Sequence, residues 1–255
     1  MKFRTVILAA GKGTRMGSDK PKVLLQIGGK PILQHLIESI KASGIDGVPV
    51  VVVNPDSGTG VCEAFGGACD YAVQEEPLGT GHAVMAAKDA VGESDAVIVL
   101  YGDHPFVSQA ALRRLVEIHS ASSPAVTIMT TTVPSFDGWY SAFLHWGRIL
   151  RDVDGHIFGI REYKDAMDSE REIREVNPAM FCFDAKWLWE NIRQVRNQNA
   201  KKEYYLTDLI ELAVTQGHDI MGSEILPEES IGVNTPEEFA LAEKIYANRR
   251  DSSLR

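Results

Sequence analysis

The chain has little sulfur, a deficit of positive charge and no long apolar run. Its three cysteines, Cys62, Cys69 and Cys182, are odd in number and lack CxxC spacing. That excludes a disulfide frame and a zinc knuckle and leaves reduced thiols in a core. No segment approaches the roughly 20 apolar residues of a membrane-crossing helix. The apolar run Val6 to Ala10 is too short for a secretory leader and breaks at once into charge. A cytoplasmic protein without membrane partners is therefore expected. Lys and Arg number 26 against 35 Asp and Glu, a formal net charge of −9. A nucleic-acid backbone needs a broad basic surface, so nucleic acid is not expected as a partner. Also missing are a GxSxG nucleophile elbow, an HExxH metal pair, internal repeats and low-complexity linkers.

What is present is enough for a full core: 255 residues, 44% of them hydrophobic. Length over about 150 points to one large domain or two joined lobes. Strands and helices alternate. Phe3 to Ala9 is a short apolar strand, and Pro31 to Ser43 carries apolar residues at 32, 33, 36, 37 and 40, a helical period stopped by Gly44. Val48 to Val53 reads as a buried strand, followed by a glycine loop at 58–60, a strand near Tyr71 to Val73, a helix from Gly81 to Val91 and the strand Ala96 to Tyr101. Repeated βα units with right-handed crossovers imply a Rossmann-like, doubly wound, mixed but mostly parallel sheet. After a helix at Gln109 to Ser120, strands are expected over Ala125 to Val133, Gly147 to Asp152, Ile157 to Arg161 and Pro178 to Phe183. Thr235, Pro236 and Glu238 form a capping box with proline at the first helical position, opening a terminal helix to about Arg249. The last six residues are expected to fray. One domain with two lobes follows, about 1–107 and 108–234, closed by the helix at about 236–249.

The most informative stretch is LAAGKGTRMGSDKPKVL, residues 8 to 24. Ala9, Ala10, Gly11 and Gly13 let the backbone turn sharply and bring its NH groups against anionic oxygens. Lys12, Arg15, Lys20 and Lys22 face one acid, Asp19, within residues 11 to 22. The alternative is a solvated basic loop. Neither familiar phosphate motif fits. A dinucleotide fingerprint counted from Gly11 and Gly13 needs glycine where Met16 stands, and both GK pairs lack the Ser or Thr of a Walker A loop, being followed by Gly13 and Pro31.

Other segments carry chemistry beside a plainer reading. YGDHP, residues 101–105, sets Asp103 just after a buried strand, where its carboxylate can reach a metal or can simply cap a turn. Asn234 in GVNTPEE shares that ambiguity. Magnesium takes one or two protein ligands and completes its shell with phosphate and water, so Asp103 with Asn234 makes a plausible pair. In QEEPLGTGHA, residues 74–83, Gly79, Thr80 and Gly81 stand at a helix N-terminus, which attracts anions. Gln74 offers a donor and an acceptor on one amide, the pair that reads N3 and O4 of uracil or thymine. An ordinary glycine turn with a surface Gln is the alternative, and His82 suits loop stabilisation better than proton transfer.

The strand, AAGKGTRM and the later PK are similar to the signature of sugar nucleotidyltransferases. Together with PKVL, QEEPLGTGHA, YGDHP, EYKDA at 162–166, EVN at 175–177, EYYLTD at 203–208 and GVN at 232–234, they occur in the order seen in bacterial N-acetylglucosamine-1-phosphate uridylyltransferases. Those are the pyrophosphorylase domains of a bifunctional enzyme. The resemblance implies the nucleotide-diphospho-sugar transferase fold and UTP and a sugar 1-phosphate as substrates, with Mg2+ as cofactor. It implies that Leu8, Ala9, Ala10, Gly11, Lys22, Gln74, Gly79, Thr80, Tyr101 and Gly102 hold the nucleotide and that Gly147, Glu162 and Asn177 hold the sugar. Asp103 and Asn234 would bind magnesium, and Arg15 and Lys22 would stabilise the transition state. A catalytically silent nucleotide-binding regulator is the reading from another class.

The chemistry agrees with this resemblance. The attacking atom is a sugar-phosphate oxygen, largely ionised near pH 7 because the second phosphate pKa is about 6, so no general base is needed. The task is to align two polyanions and offset the charge that develops at the α phosphorus. The chain also departs from the family. The β-helix repeats that carry acetyl transfer and build its trimer have no counterpart here, so acetyltransferase activity is not expected and the family's oligomeric state is not carried over. Pro178 and Ala179 stand where the family has Thr and Gly, and Trp146 stands for its tyrosine. The segment Pro134 to Leu144, with Phe136, Trp139, Tyr140 and Phe143, is longer than the family norm and could be a lid, an interface or core packing.

Overall fold

The computed structural model describes residues 1–11, 13–17, 20–199 and 202–253. Lys12 and Asp19 of the basic loop lie outside the described residues. Strand β1 (Phe3–Leu8) is followed by the short hairpin β2 (Gln26–Ile27) and β3 (Lys30–Pro31), and then by helix α1 (Ile32–Ser43), which Gly44 ends in a left-handed conformation. Strand β4 (Val50–Val53), helix α2 (Pro55–Phe65) and strand β5 (Asp70–Val73) come next. Helices α3 (Thr80–Ala86) and α4 (Lys88–Val91) then lead to strand β6 (Ala96–Tyr101) and helix α5 (Gln109–Ser122).

The expected glycine loop at 58–60 is instead the middle of α2. Asn54 caps that helix by accepting the Ser57 N–H at 2.8 Å, and Pro55 takes the first helical position. Gly58 then lets the helix lie on Val53, where a Cβ would come within 3.1 Å of the valine side chain. Local capping and close packing outweigh the low helix propensity of two glycines.

The second half contains β7 (Val126–Thr132), β8 (Arg148–Arg151), β9 (Ile157–Arg161), α6 (Asp168–Arg171), β10 (Glu175–Val176) and β11 (Phe181–Asp184). Helices α7 (Ala185–Asn191) and α8 (Asp208–Thr215), strand β12 (Ile220–Glu224) and helices α9 (Pro227–Ser230) and α10 (Pro236–Ser253) complete it. Helix α10 continues beyond the expected end at Arg249, so the residues expected to fray begin inside a helix.

One ten-stranded sheet runs β10-β8-β9-β12-β7-β11-β6-β1-β4-β5. Parallel pairing joins β5, β4, β1 and β6, and also β7 with β12. Antiparallel pairs enter where β11 lies between β6 and β7 and where β8, β9 and β10 attach. The sheet is thus doubly wound and mixed, with its parallel character concentrated in the first half. Val6, Val50, Val52, Val97 and Val99 face the cluster built with α3, α7 and α8, while Ile7, Val51, Val53, Ile98 and Leu100 face that built with α1 and α5. That alternation is the period of two along each strand, with both faces covered.

Register sets the site. Leu8 pairs with Tyr101 and Val52, and Val53 pairs with Val73, so the segments after β1, β5 and β6 leave the sheet together at their carboxyl ends. The aromatic stretch resolves as core packing. Gly138–Phe143 is a 3-10 turn with Phe143 fully buried, and Trp139, Tyr140 and Trp146 join a third cluster with Ile27, Ile32, Val233 and α10.

Candidate functional site

At the carboxyl ends of β1 and β6 lies a cleft of about 270 Å³, lined by Leu8 to Gly11, Lys22, Gln74, Gly79, Thr80, Tyr101, Asp103 and Asn234, with Pro77 and Glu203. Every residue expected at the nucleotide or the metal lines it except Gly102, and Arg15, expected at the transition state, does not. Gly102 lies behind it, donating its N–H to the Leu8 carbonyl at 2.9 Å and so joining the first loop to YGDHP. Asn54 donates to the Ala10 carbonyl at 2.8 Å and supports the loop from below. Arg15 is exposed and reaches the site through its guanidinium, which donates to Asn234 Oδ1 at 3.2 Å.

The floor of the cleft is a contact between distant segments. Lys22 Nζ donates to Asp103 Oδ2 at 2.5 Å and to Asn234 Oδ1 at 2.8 Å. Asp103 is buried, which alone would raise its carboxyl. The Lys22 ammonium, with His104 and a backbone hydrogen bond, outweighs burial and holds it below the usual carboxylate range. The capping box expected at Thr235 is formed and does a second task. Glu238 accepts the Thr235 N–H at 3.1 Å and the Asn234 N–H at 2.6 Å, fixing Asn234 at the helix entrance, while Val233 N–H donates to the Asp103 carbonyl at 2.9 Å.

These residues fit a hard divalent cation. Asp103 Oδ1 is buried without a hydrogen-bond partner, and Asn234 presents an amide oxygen beside the carboxylate. Lys22 bridges the same two residues, so its ammonium stands where such an ion would be drawn.

The opposite wall corrects one expectation. Gln74 Nε2 lies 2.9 Å from the Gly79 carbonyl and 3.1 Å from His82 Nδ1. A carbonyl only accepts, so the atom facing it is the amide nitrogen, and both its hydrogens are committed. Of the expected donor and acceptor pair, Gln74 therefore keeps only Oε1 available. His82 serves the loop, as expected. The α3 entrance is likewise bound to protein, since Gly81 N–H donates to the Tyr204 carbonyl at 2.8 Å and Thr80 Oγ1 accepts Leu206 N–H at 3.0 Å. Gly79 has φ of 109°, and a Cβ there would fall 2.6 Å from the Tyr204 carbonyl, so only glycine fits. This docking brings Glu203 into the cleft, a lining residue that the EYYLTD stretch signalled without indicating its place.

The three residues expected at the sugar lie next to one another but are not among those lining this cleft. Asn177 N–H donates to the Gly147 carbonyl at 2.9 Å, and Glu162 Oε1 lies 3.6 Å from where a Gly147 Cβ would stand. Glu162 is within electrostatic range of the Tyr101 hydroxyl and of Asp208. Asn177 Oδ1 accepts the Ala179 N–H at 2.8 Å, and Ala179 has φ of 61°. Pro178 and Ala179 thus keep a turn that ordinarily favours glycine.

The sequence profile of the MobA-like NTP transferase domain matches residues 5–206. The bifunctional protein GlmU of Geobacillus sp. (strain WCH70) is 40% identical over 98% of the chain and 53% of that protein. GlmU of Syntrophomonas wolfei is 38% identical over 100% of the chain and 55% of its own length. The chain thus spans about half the length of these curated relatives. Among solved structures, a protein assigned as a glucose-1-phosphate thymidylyltransferase from Bacillus anthracis, in complex with sucrose, has a TM-score of 0.76 at 19% identity, covering 95% of this chain and 94% of its own. A CMP-2-keto-3-deoxy-manno-octonic acid synthetase complexed with CTP has a TM-score of 0.69 at 20% identity, covering 98% of this chain and 100% of its own. These two likenesses establish the nucleotide-diphospho-sugar transferase fold.

Proposed function

The chain belongs to the MobA-like NTP transferase family, and on that premise we propose that it transfers UMP from UTP to a sugar 1-phosphate. N-acetylglucosamine 1-phosphate is the preferred acceptor, and UDP-N-acetylglucosamine and pyrophosphate are the products. The observation that carries this reading is the meeting of Lys22, Asp103 and Asn234 at the cleft floor. It combines a cation for phosphate oxygens with two oxygen donors for magnesium and includes no nucleophile or base. The likeness to the first half of GlmU supports the acceptor.

Gln74 supports the nucleobase. With only Oε1 uncommitted, it accepts from N3–H of uracil, whereas cytosine offers a lone pair at N3 and would meet it acceptor to acceptor. Lys22 and Arg15 would turn to the phosphates when a nucleotide enters, holding attacker and leaving group in line and offsetting the charge that develops. Asp103 and Asn234 would hold magnesium, which would supply further charge neutralisation at the phosphates. A different sugar phosphate is the second reading. It is favoured by Pro178, Ala179 and Trp146, which alter the walls around Gly147 and Asn177.

A panel of UTP, CTP and dTTP against sugar 1-phosphates, read by pyrophosphate release with and without magnesium, tests both readings. UTP with N-acetylglucosamine 1-phosphate should give the fastest magnesium-dependent release. Faster release with another sugar transfers the assignment to that sugar, and no release with any pair overturns nucleotidyl transfer.

A further inference from the structure

Arg148, the first residue of β8, is buried without accessible surface, yet among the described residues it forms no ion pair. Its guanidinium is spent on main-chain carbonyls. Nη1 donates to Trp146 at 2.6 Å, Nη2 to Leu144 at 2.9 Å and to Arg171 at 3.1 Å, and Nε to Arg171 at 3.3 Å. Leu144 and Trp146 follow the 3-10 turn at 138–143, and Arg171 is the last residue of α6. One cation therefore caps the carbonyl ends of two helical segments, groups that have no partner within their own turns. Its Cζ also lies over the Phe136 ring at 4.5 Å and the Tyr163 ring at 5.1 Å, which adds cation–π attraction. Arg171 in turn donates to the Tyr163 carbonyl at 3.4 Å.

Burying a charge is costly unless its hydrogen bonds are made, and an apolar side chain would fill the same space without that cost. What the guanidinium adds is geometry, because one rigid planar fork fixes three carbonyls at once. Each residue proposed for the sugar is one step in sequence from a group held in this way or paired with Arg148. Trp146 precedes Gly147, and Tyr163 follows Glu162. Arg148 pairs with Val176, which precedes Asn177, and with Arg161, which precedes Glu162. Clearance is small here. A Cβ on Gly147 would come 3.0 Å from the Ile160 side chain and 3.6 Å from Glu162 Oε1, so a small displacement of the 146–147 peptide alters the space beside Glu162.

We propose that Arg148 is a positioning residue for the acceptor. By tying the aromatic segment and α6 to β8, it fixes the spacing of Gly147, Glu162 and Asn177 and so sets affinity for the sugar phosphate, acting through these residues rather than by contact. The proposal rests on the reading that those three residues hold the sugar. It is separate from the phosphate chemistry, since neither Arg148 nor any residue that it bonds or stacks on lines the nucleotide cleft.

The test compares both substrates in the wild type, Arg148→Lys, Tyr163→Leu and Glu162→Gln, using the sugar 1-phosphate that gives the fastest pyrophosphate release with UTP. Direct UTP titration reports which variants are folded. Lysine keeps the charge but has no fork, so it cannot hold the three carbonyls together. KM for the sugar phosphate should rise about tenfold in Arg148→Lys and about threefold in Tyr163→Leu, which keeps the carbonyl bonds and removes one ring, while UTP affinity stays within about twofold. A fall in kcat with both KM values unchanged is mere loss of folded protein and overturns the inference. A parallel rise in KM for UTP makes Arg148 a general packing residue and also overturns it. If Arg148→Lys does not fold, Tyr163→Leu decides alone. A raised sugar-phosphate KM in Glu162→Gln only overturns the inference and leaves the sugar reading standing. An unchanged KM in Glu162→Gln moves the sugar away from these residues and overturns both, as does a wild type that releases no pyrophosphate.

Discussion

The regions proposed for the phosphates and for the sugar are built from different materials. At the phosphate end, charged and polar side chains from segments 81 and 212 residues away from Lys22 in sequence touch one another directly. In the region proposed for the sugar, Gly147 and Asn177 are joined through the main chain, and the Asn177 side chain spends its oxygen on a turn. A side-chain contact fixes residue types, because Lys, Asp and Asn each supply a group that no substitute reproduces. A main-chain contact fixes only the path. The chain keeps the nucleotidyltransferase words intact at the first end and departs from them at the second, where Pro178 and Ala179 hold the turn with a different sequence. On the proposed function, chemistry would be specified in the first region and acceptor shape in the second.

The strongest way to break this contrast is at Lys22. Lys22→Gln should lower turnover about 100- to 1,000-fold, the effect of losing one preorganised donor to developing charge. It should also tighten manganese binding to the nucleotide-free protein, because the ammonium no longer bridges Asp103 Oδ2 and Asn234 Oδ1. Removing one partner of a buried pair costs about 3–5 kcal/mol, so the melting temperature should fall and be restored by added divalent metal. Calorimetric titration and thermal melts check the metal effects. Weaker manganese binding in Lys22→Gln would show that Lys22 supports the site rather than competing for it.

A smaller effect is expected at Arg15, which is exposed and donates a hydrogen bond to Asn234. Arg15→Ala should lower kcat about 10- to 100-fold while changing nucleotide affinity less than about threefold, since its role is expected in the transition state rather than in ground-state binding. Steady-state kinetics with direct nucleotide titration separates the two quantities. Equal loss in both would make Arg15 an ordinary phosphate contact.

At the sugar end, Ala179→Gly probes the path rather than the chemistry. A left-handed alanine costs roughly 1–2 kcal/mol, and glycine removes that cost while adding about 0.5–1 kcal/mol of unfolded-chain entropy. A net gain of about 0–1.5 kcal/mol in denaturant midpoint analysis is expected. KM for the sugar phosphate should change while that for the nucleotide stays constant. A change in nucleotide KM would show the two ends to be coupled.

What could be read in the sequence follows the same division. The segments after β1 and β6 were legible because apolar runs break abruptly into glycine and charge, and the box at Thr235 and Glu238 because its spacing is local. Gly58 and Gly60 misled because the decision lay with the Asn54 cap and with packing on Val53. Strand β12, with sequence IMGSE, carries no clear alternation, and its pairing with β7 supplies what its own residues do not. The donor half of Gln74 was lost to the Gly79 carbonyl and His82, partners that only the folded loop brings within reach.

The smallest expected effect tests whether the sugar end carries electrostatics of its own. Burial, followed by Glu211 and Glu162, pushes the Asp208 carboxyl up to about 6. The group is therefore neutral below that pH and adds a negative charge near Glu162 above it. Ionisation disfavours the folded form when the folded pKa is raised. Wild-type stability relative to Asp208→Asn should then fall as pH rises from about 4 to about 6, and level off beyond. The same charge repels an incoming sugar phosphate, so sugar-phosphate KM should rise through pH 6 by about twofold, the scale of a partly solvated charge interaction. The second ionisation of the sugar phosphate falls in the same range, but it affects both proteins equally. The difference between the wild-type and Asp208→Asn profiles therefore isolates the protein group. If the nucleotide profile changes with it, the charge acts across the whole cleft; if neither profile differs, the sugar end is set by shape alone.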